Sequence, residues 1–404
     1  MIGSSEHVEI SSFRGQLLLI MQKTQPPSLI PDLPISGIKL VVHGPELIDT
    51  GRVALVVEAL GAIGPLRVLA GGTMARVAAL DKHLTFIDTS QNLHTSDALN
   101  DVSDNEVPVL ANCGKTPSTG CVFGQIVSSR VRRSIVHVEG PGSVRGKVIV
   151  WRGVDGGLWR CVQYIAEQLS HRLSLELVEQ NKKALPVEQT SEVITRRIHG
   201  AKPGELLLIE GMVVGTAVDS DVVISAQNGS IVDITGVNTK AHGLERIGEI
   251  DLIKAYVKSG QLRRGNETCN ERSMLPARPL KRGTVTFVNH CADRTLESVD
   301  GTTICAITVG DDTTAISGDV LSRIGIPIIG ITDGDDDGLY SGACTIEGSV
   351  ILHLNNASDD DVGFVLEQSG ALSGRNHSLA DVIAIVTDFL CRRGVEFSSL
   401  RANK

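Results

Sequence analysis

The sequence is short of aromatic residues: 404 residues carry seven Phe, three Tyr and two Trp. A core with so few rings must be filled by Val, Ile, Leu and Ala, and no stacking platform for single-stranded nucleic acid is available. A basic excess is lacking too. Lys and Arg total 38 against 47 Asp and Glu, a formal charge of −9, which excludes the broad cationic footprint that duplex nucleic acid requires. No apolar run approaches the ~20 residues that span a bilayer. The run Leu17–Met21 has neither a basic flank nor a cleavage-like site, so neither a leader nor a membrane partner is expected. The eight cysteines form no CxxC pair. In a chain of this size they read as reduced thiols of a cytoplasmic protein rather than a disulfide framework. GxSxG, HExxH and a GxGxxG between strand and helix are missing as well, which removes the easiest enzyme assignments.

Glycine, by contrast, is plentiful, 42 of 404 residues against a usual share of roughly 7%. Many of these glycines fall where an apolar run gives way to a helical period, the pattern of strand-to-helix turns. The fold class expected is α/β: two parallel-sheet α/β units with a small β-rich subdomain between them. Residues 1–37 read as a flexible extension, with four prolines between Gln25 and Pro34 and with Met21 as a possible alternative start. Residues 38–157 form the first α/β domain. Strands are expected at Ile38–Val42, Leu66–Ala70 and Leu84–Ile87, and helices at Gly51–Leu60 and Met74–Leu80. Residues 158–261 combine an amphipathic helix (Leu158–Leu173) and a helix over Glu192–Ile198 with a β-rich stretch. A hairpin is expected at Gln227-Asn228-Gly229, and a helix around Asp251–Val257 closes the segment. Residues 262–283 are a basic linker. Residues 284–404 form the last domain, with strands Thr303–Val309 and Ile326–Thr332 flanking helix Ala315–Ile324. A hairpin within Thr345–Leu354 and a helix over Ala380–Leu390 follow.

The chemistry-bearing residues gather at expected strand ends. Parallel strands 303–309 and 326–332 bring their C-terminal ends to one sheet edge, where open α/β sheets bind ligands. Asp311 and Asp312 leave the first strand, and Asp333 and Asp335 the second. Hard oxygen ligands in that number suit Mg²⁺, and Thr313 or Thr314 is placed to cap the intervening helix, whose N-terminus favours phosphate. Solvated Asp–Gly turns are the competing reading. In the first domain, His43 and Glu46 follow strand one as candidate acid–base groups. Gly71, Gly72 and Thr73 open a helix, where backbone N–H groups can meet an anion. Lys115, in Gly114-Lys115-Thr116, is a further anion-binding candidate. The segment is not a Walker A loop, because Val109 stands where that motif needs glycine.

The strand end Thr332-Asp333-Gly334-Asp335 resembles the DxD strand end of Toprim domains over about a dozen residues, with Glu210 as the upstream Glu which that family pairs with Mg²⁺. Over a longer stretch, the segments His43-Gly44-Pro45-Glu46, Gly71-Gly72-Thr73-Met74, Gly114-Lys115-Thr116 and Gly310-Asp311-Asp312-Thr313-Thr314 resemble an uncharacterised family of methanogenic archaea, from about Ile38 to about Leu366. That resemblance implies a cytoplasmic protein of an anaerobe and transfers no catalytic residue. Two readings follow. One is a protein that takes a phosphorylated or otherwise anionic small molecule with Mg²⁺, for phosphoryl transfer or hydrolysis. The other is a non-catalytic assembly or accessory factor of methanogen metabolism with a protein partner.

Overall fold

A computed structural model describes residues 35–91, 93–154, 157–182, 187–189, 192–262, 280–334, 345–374 and 376–401. Asp335, most of the N-terminal extension and most of the expected linker lie outside the described residues. The chain divides into two compact units, the first ending at Leu185 and the second beginning at Pro186.

In the first unit β1 (Gly37–His43) is followed by α1 (Glu46–Asp49), α2 (Val53–Gly61), β2 (Leu66–Gly71), α3 (Thr73–Asp81) and α4 (Thr95–Asn100). Then come β3 (Glu106–Asn112), α5 (Pro117–Ser129), β4 (Ile135–Glu139), β5 (Lys147–Arg152), α6 (Trp159–Leu173) and β6 (Glu176–Asn181). One six-stranded sheet results, in the order β2-β1-β3-β4-β5-β6. β2, β1, β3 and β4 run parallel, and β5 lies antiparallel to β4. Alternate residues of β1 feed two cores. Ile38, Leu40 and Val42 pack with α2, α3 and α6 on one face, while Val41 packs with α4, α5 and Trp151 on the other. The strands therefore read as unbroken apolar runs, as strands covered on both faces do. The expected strand at Leu84–Ile87 does not form. Leu84 and Ile87 are buried as plugs at the edge of the core, and Asp88 makes only a single bridge to Leu69. Two apolar residues three apart filled a hole without alternating along a sheet.

The second unit opens with its β-rich part: β7 (Val187–Gln189), β8 (Val193–Ile198), β9 (Leu206–Ile209), β10 (Met212–Ala217), β11 (Val222–Gln227), β12 (Ser230–Thr235), β13 (Val237–Thr239), α7 (Ala241–Ile247) and β14 (Val257–Gly260). Two four-stranded sheets, β13-β10-β9-β14 and β12-β11-β8-β7, share one aliphatic core. The hairpin at Asn228-Gly229 forms as expected, both residues having positive φ (+51° and +81°). Two helix expectations give way here. Glu192–Ile198 is strand β8, paired residue for residue with β11, because Val193, Ile194 and Thr195 are β-branched and pack on a pleated surface. Asp251 caps a turn by accepting the N–H groups of Ile253 and Lys254, and Val257 onward joins β9 as a strand.

The last part contains β15 (Thr284–Asn289), β16 (Thr303–Val309), α8 (Asp311–Leu321), β17 (Ile328–Thr332), β18 (Val350–Leu354), α9 (Asp359–Gln368), α10 (Leu379–Arg392) and β19 (Phe397–Arg401). The sheet order is β15-β16-β17-β18-β19, with the first four strands parallel. Val350–Leu354 is a parallel strand, not half of a hairpin, since its Val350 and Leu352 complete the core beside Ile329 and Ile331. The molecule is thus α/β, with two parallel-sheet regions and a β-rich part between them in sequence. Among the described residues no helix is long and apolar enough to cross a membrane.

Candidate functional site

The C-terminal edge of the last sheet carries the acidic site. Gly310 ends β16 at φ +102°, a conformation that L side chains rarely adopt, and acts as the N-cap of α8. Asp311 and Asp312 are therefore the first helical residues. The capping expected of Thr313 or Thr314 does not occur: Thr313 is buried in the first turn, and Thr314 Oγ1 pairs with Thr308 Oγ1 at 2.8 Å beneath the helix. Gly330 lets α8 sit this close, as a Cβ there would press on Thr314.

Asp311, Asp333 and Asp359 each offer a carboxylate oxygen, and the three oxygens lie within 4.8 Å of one another. Backbone donors hold two of the three carboxylates. Asp311 Oδ2 accepts from the N–H groups of Asp333 (3.2 Å) and Gly334 (3.0 Å), and Asp333 Oδ2 accepts from the N–H of Asp359 (3.2 Å). Three strands thus contribute: β16 through Asp311, β17 through Asp333 and β18 through Asp359, at the head of α9. An Mg²⁺ ion with oxygens at about 2.1 Å places them about 3–4.2 Å apart, so the triad needs only a small contraction to surround one. Asp312 takes another part, its Oδ2 lying 3.2 Å from Lys240 Nζ.

A cleft adjoins this triad within the same unit. Lys240, Arg246, His290, Gly310, Thr313 and Asp360 are among its lining, and so are Asp311 and Asp359. Its volume is about 50 Å³, far below the ~300–1,000 Å³ of a drug-sized pocket. Arg246 pairs with Asp360 at 2.6 Å. His290 Nε2 also meets Asp360, and its ring lies against Gly310. His290 holds φ +59° at the end of β15, and backbone held in this region gathers at functional sites. Lys240, Arg246 and Asp359 escaped the sequence reading because they stand far apart in the chain. His290-Cys291-Ala292-Asp293 reads in the sequence as potential metal ligands, but with no second pair at metal spacing a structural role is favoured there. Glu210, the expected Toprim-like partner, is bound to Arg294 (2.8 Å) and to the Tyr256 N–H (2.8 Å). The third carboxylate beside Asp311 and Asp333 is Asp359.

The candidates of the first unit lie at its own sheet edge. His43 ends β1 in register with Gly71 of β2. Gly72, at φ +85°, is the N-cap of α3, and Thr73 is buried behind it. Glu46 is exposed with its carboxylate folded back over Gly44, and Lys115 is exposed at the head of α5. His43 sits in a network of ring and hydrogen-bond contacts. Its ring stacks on Phe123 (centroids 3.9 Å apart, planes 20°), and its Nδ1 meets Asn112 Oδ1 at 2.8 Å. Nearby Cys113 is no activated thiol: burial and the Glu139 charge push it up, against the opposing pull of Arg52.

These features define a two-unit α/β protein with an acidic cleft at a parallel-sheet edge. Residues 40–371 match DUF2117, a family described as an uncharacterized protein conserved in archaea, and the chain belongs to that family. It is similar to "Uncharacterized protein MJ0065" of Methanocaldococcus jannaschii, 38% identical over 336 residues, which is 82% of this chain and 91% of the relative. No solved structure matches the chain.

Proposed function

We propose that the second unit binds a phosphorylated small molecule together with Mg²⁺ at the cleft before α8. The observation that carries this reading is the convergence of Asp311, Asp333 and Asp359 next to a cleft that also holds Lys240, Arg246 and a helix N-terminus. Carboxylates take the cation, and the cation, the lysine, the arginine and the helix dipole together favour a phosphate. Thr313, in the cleft wall, is a hydroxyl partner for it. His290, held by Asp360, is the acid–base group of this cleft, which suits hydrolysis or phosphoryl transfer. A cytoplasmic location accords with reduced thiols.

Melting of the full chain tests the reading, with MgCl₂ alone and with MgCl₂ plus inorganic pyrophosphate. A ligand at a hundred times its Kd adds about 2.7 kcal/mol of stability. The melting temperature should therefore rise by some degrees in the wild type and much less in Asp333→Asn. Absence of a shift in both solutions removes the ligand reading and favours the accessory-factor role.

A further inference from the structure

Lysine and arginine reach the cleft of the second unit from one short helix. Lys240 is the N-cap of α7, and Arg246 lies in its last turn. Gly243 lets α7 lie directly on β10, since a Cβ there would press on the Val213 carbonyl oxygen, and the Lys240 N–H donates to the Val214 carbonyl. Each of the two cations meets a carboxylate. Lys240 Nζ lies 3.2 Å from Asp312 Oδ2, and Arg246 lies 2.6 Å from Asp360 Oδ1.

Those carboxylates belong to a repeated pattern. Asp311-Asp312 opens α8 and Asp359-Asp360 opens α9. Successive residues of an α-helix point about 100° apart, so the two members of each pair serve different neighbours. Asp311 and Asp359 join Asp333 in the oxygen triad, whereas Asp312 and Asp360 turn to Lys240 and Arg246. The side chains of Asp312 and Asp360 are only 12% and 14% exposed. Salt screens partly buried pairs much less than pairs at the surface.

The charge of the cleft follows by counting. Five aspartates (Asp311, Asp312, Asp333, Asp359 and Asp360) stand against Lys240 and Arg246, a formal −3 with His290 neutral. A free anion entering that field is repelled, and the two cations that would attract it already face carboxylates. One divalent ion on the triad brings the balance to −1.

We propose that Asp312 and Asp360 form an electrostatic lock on the cleft. They keep Lys240 and Arg246 occupied, so the cleft takes a phosphate only together with a divalent cation or after one. The two residues thereby select a metal–phosphate complex over a free anion. By linkage, phosphate tightens the cation's binding by the same factor. The lock rests on the reading that this cleft holds both a cation and an anion, and it adds the order in which they enter.

Calorimetry of the full chain with methyl phosphate, in MgCl₂ and in EDTA, tests the lock. The proteins are wild type, Asp312→Asn, Asp360→Asn, their double variant, and the double variant carrying Lys240→Ala. Asp388→Asn, an exposed acid of α10 outside the cleft lining, controls for loss of charge alone. Wild type and Asp388→Asn should bind methyl phosphate at least about tenfold more weakly in EDTA than in MgCl₂. In EDTA the double variant has the formal balance that a divalent ion gives the wild type. Its affinity there should exceed that of wild type by about tenfold or more, with each single variant showing part of the gain. Lys240→Ala should cancel the gain. Wild type that binds as tightly in EDTA as in MgCl₂ overturns the lock while leaving an anion site in place. Unchanged or weaker binding by the Asn variants in EDTA overturns it too, since Asp312 and Asp360 would then position the cations and not compete for them. Binding by none of the proteins in either solution removes the lock and the ligand reading together.

Discussion

A carboxylate's neighbours decide what it can hold, and Asp312 and Asp359 illustrate the difference. Asp312 faces Lys240 at 3.2 Å, so its charge already has a partner close by. Asp359 is buried at 3% exposure and brings an oxygen to those of Asp311 and Asp333. Asp359→Asn should accordingly weaken Mn²⁺ binding, read by calorimetry, by tenfold or more, while Asp312→Asn should change it by less than about threefold. Cys305 gives a second residue-scale test. Burial alone pushes its thiol from 9.0 up to about 12. The neutral thiol therefore favours the folded state below pH ~9, and this contribution is lost as pH rises toward 12, at up to ~1.4 kcal/mol per unit. Cys305→Ala should flatten that part of the alkaline stability curve in urea titrations. In the native protein at neutral pH, iodoacetamide should label exposed Cys391 and leave Cys305 untouched. Of the site itself, Asp311 and Asp333 were legible in the sequence because each directly follows an apolar strand. Asp359 and Lys240 were not, because partners 26 and 72 residues away in the chain leave no local pattern.

Elements with one strong period could be read from the sequence, and those with competing signals could not. α6 and α10 keep a clear apolar stripe, and β1, β3 and β16 are uniform β-branched or aliphatic runs. β8 is short, half polar and defined by its pairing with β11, which is why its residues suggested helix. β15, the edge strand that presents His290, has the same character. α5 shows how an element can be shaped by what lies under it. Gly120 and Gly124 permit its approach to Glu139 and His137, although alanine is the better helix former. Gly120→Ala and Gly124→Ala should thus each destabilise the protein by about 1–3 kcal/mol through overpacking. Gly61→Ala, at a helix end with open space around the glycine, should lie within about 0.5 kcal/mol of wild type by chemical denaturation.

At the scale of the whole molecule, each unit gathers polar machinery at the C-terminal edge of a parallel sheet. Aliphatic strands supply the rigid floor in both, in keeping with the scarcity of aromatic residues. The acidic balance of the chain has one local expression in the Asp311, Asp333 and Asp359 triad. Cation binding there is the central claim, since the phosphate reading depends on it. Isothermal calorimetry of the full chain with MnCl₂ as a probe for Mg²⁺ tests it most directly, run on the wild type, Asp333→Asn and the distant control Asp388→Asn. The account predicts one ion bound per chain in the wild type and the control, with affinity at least tenfold weaker in Asp333→Asn. Equal binding by all three proteins, or none by the wild type, would contradict it.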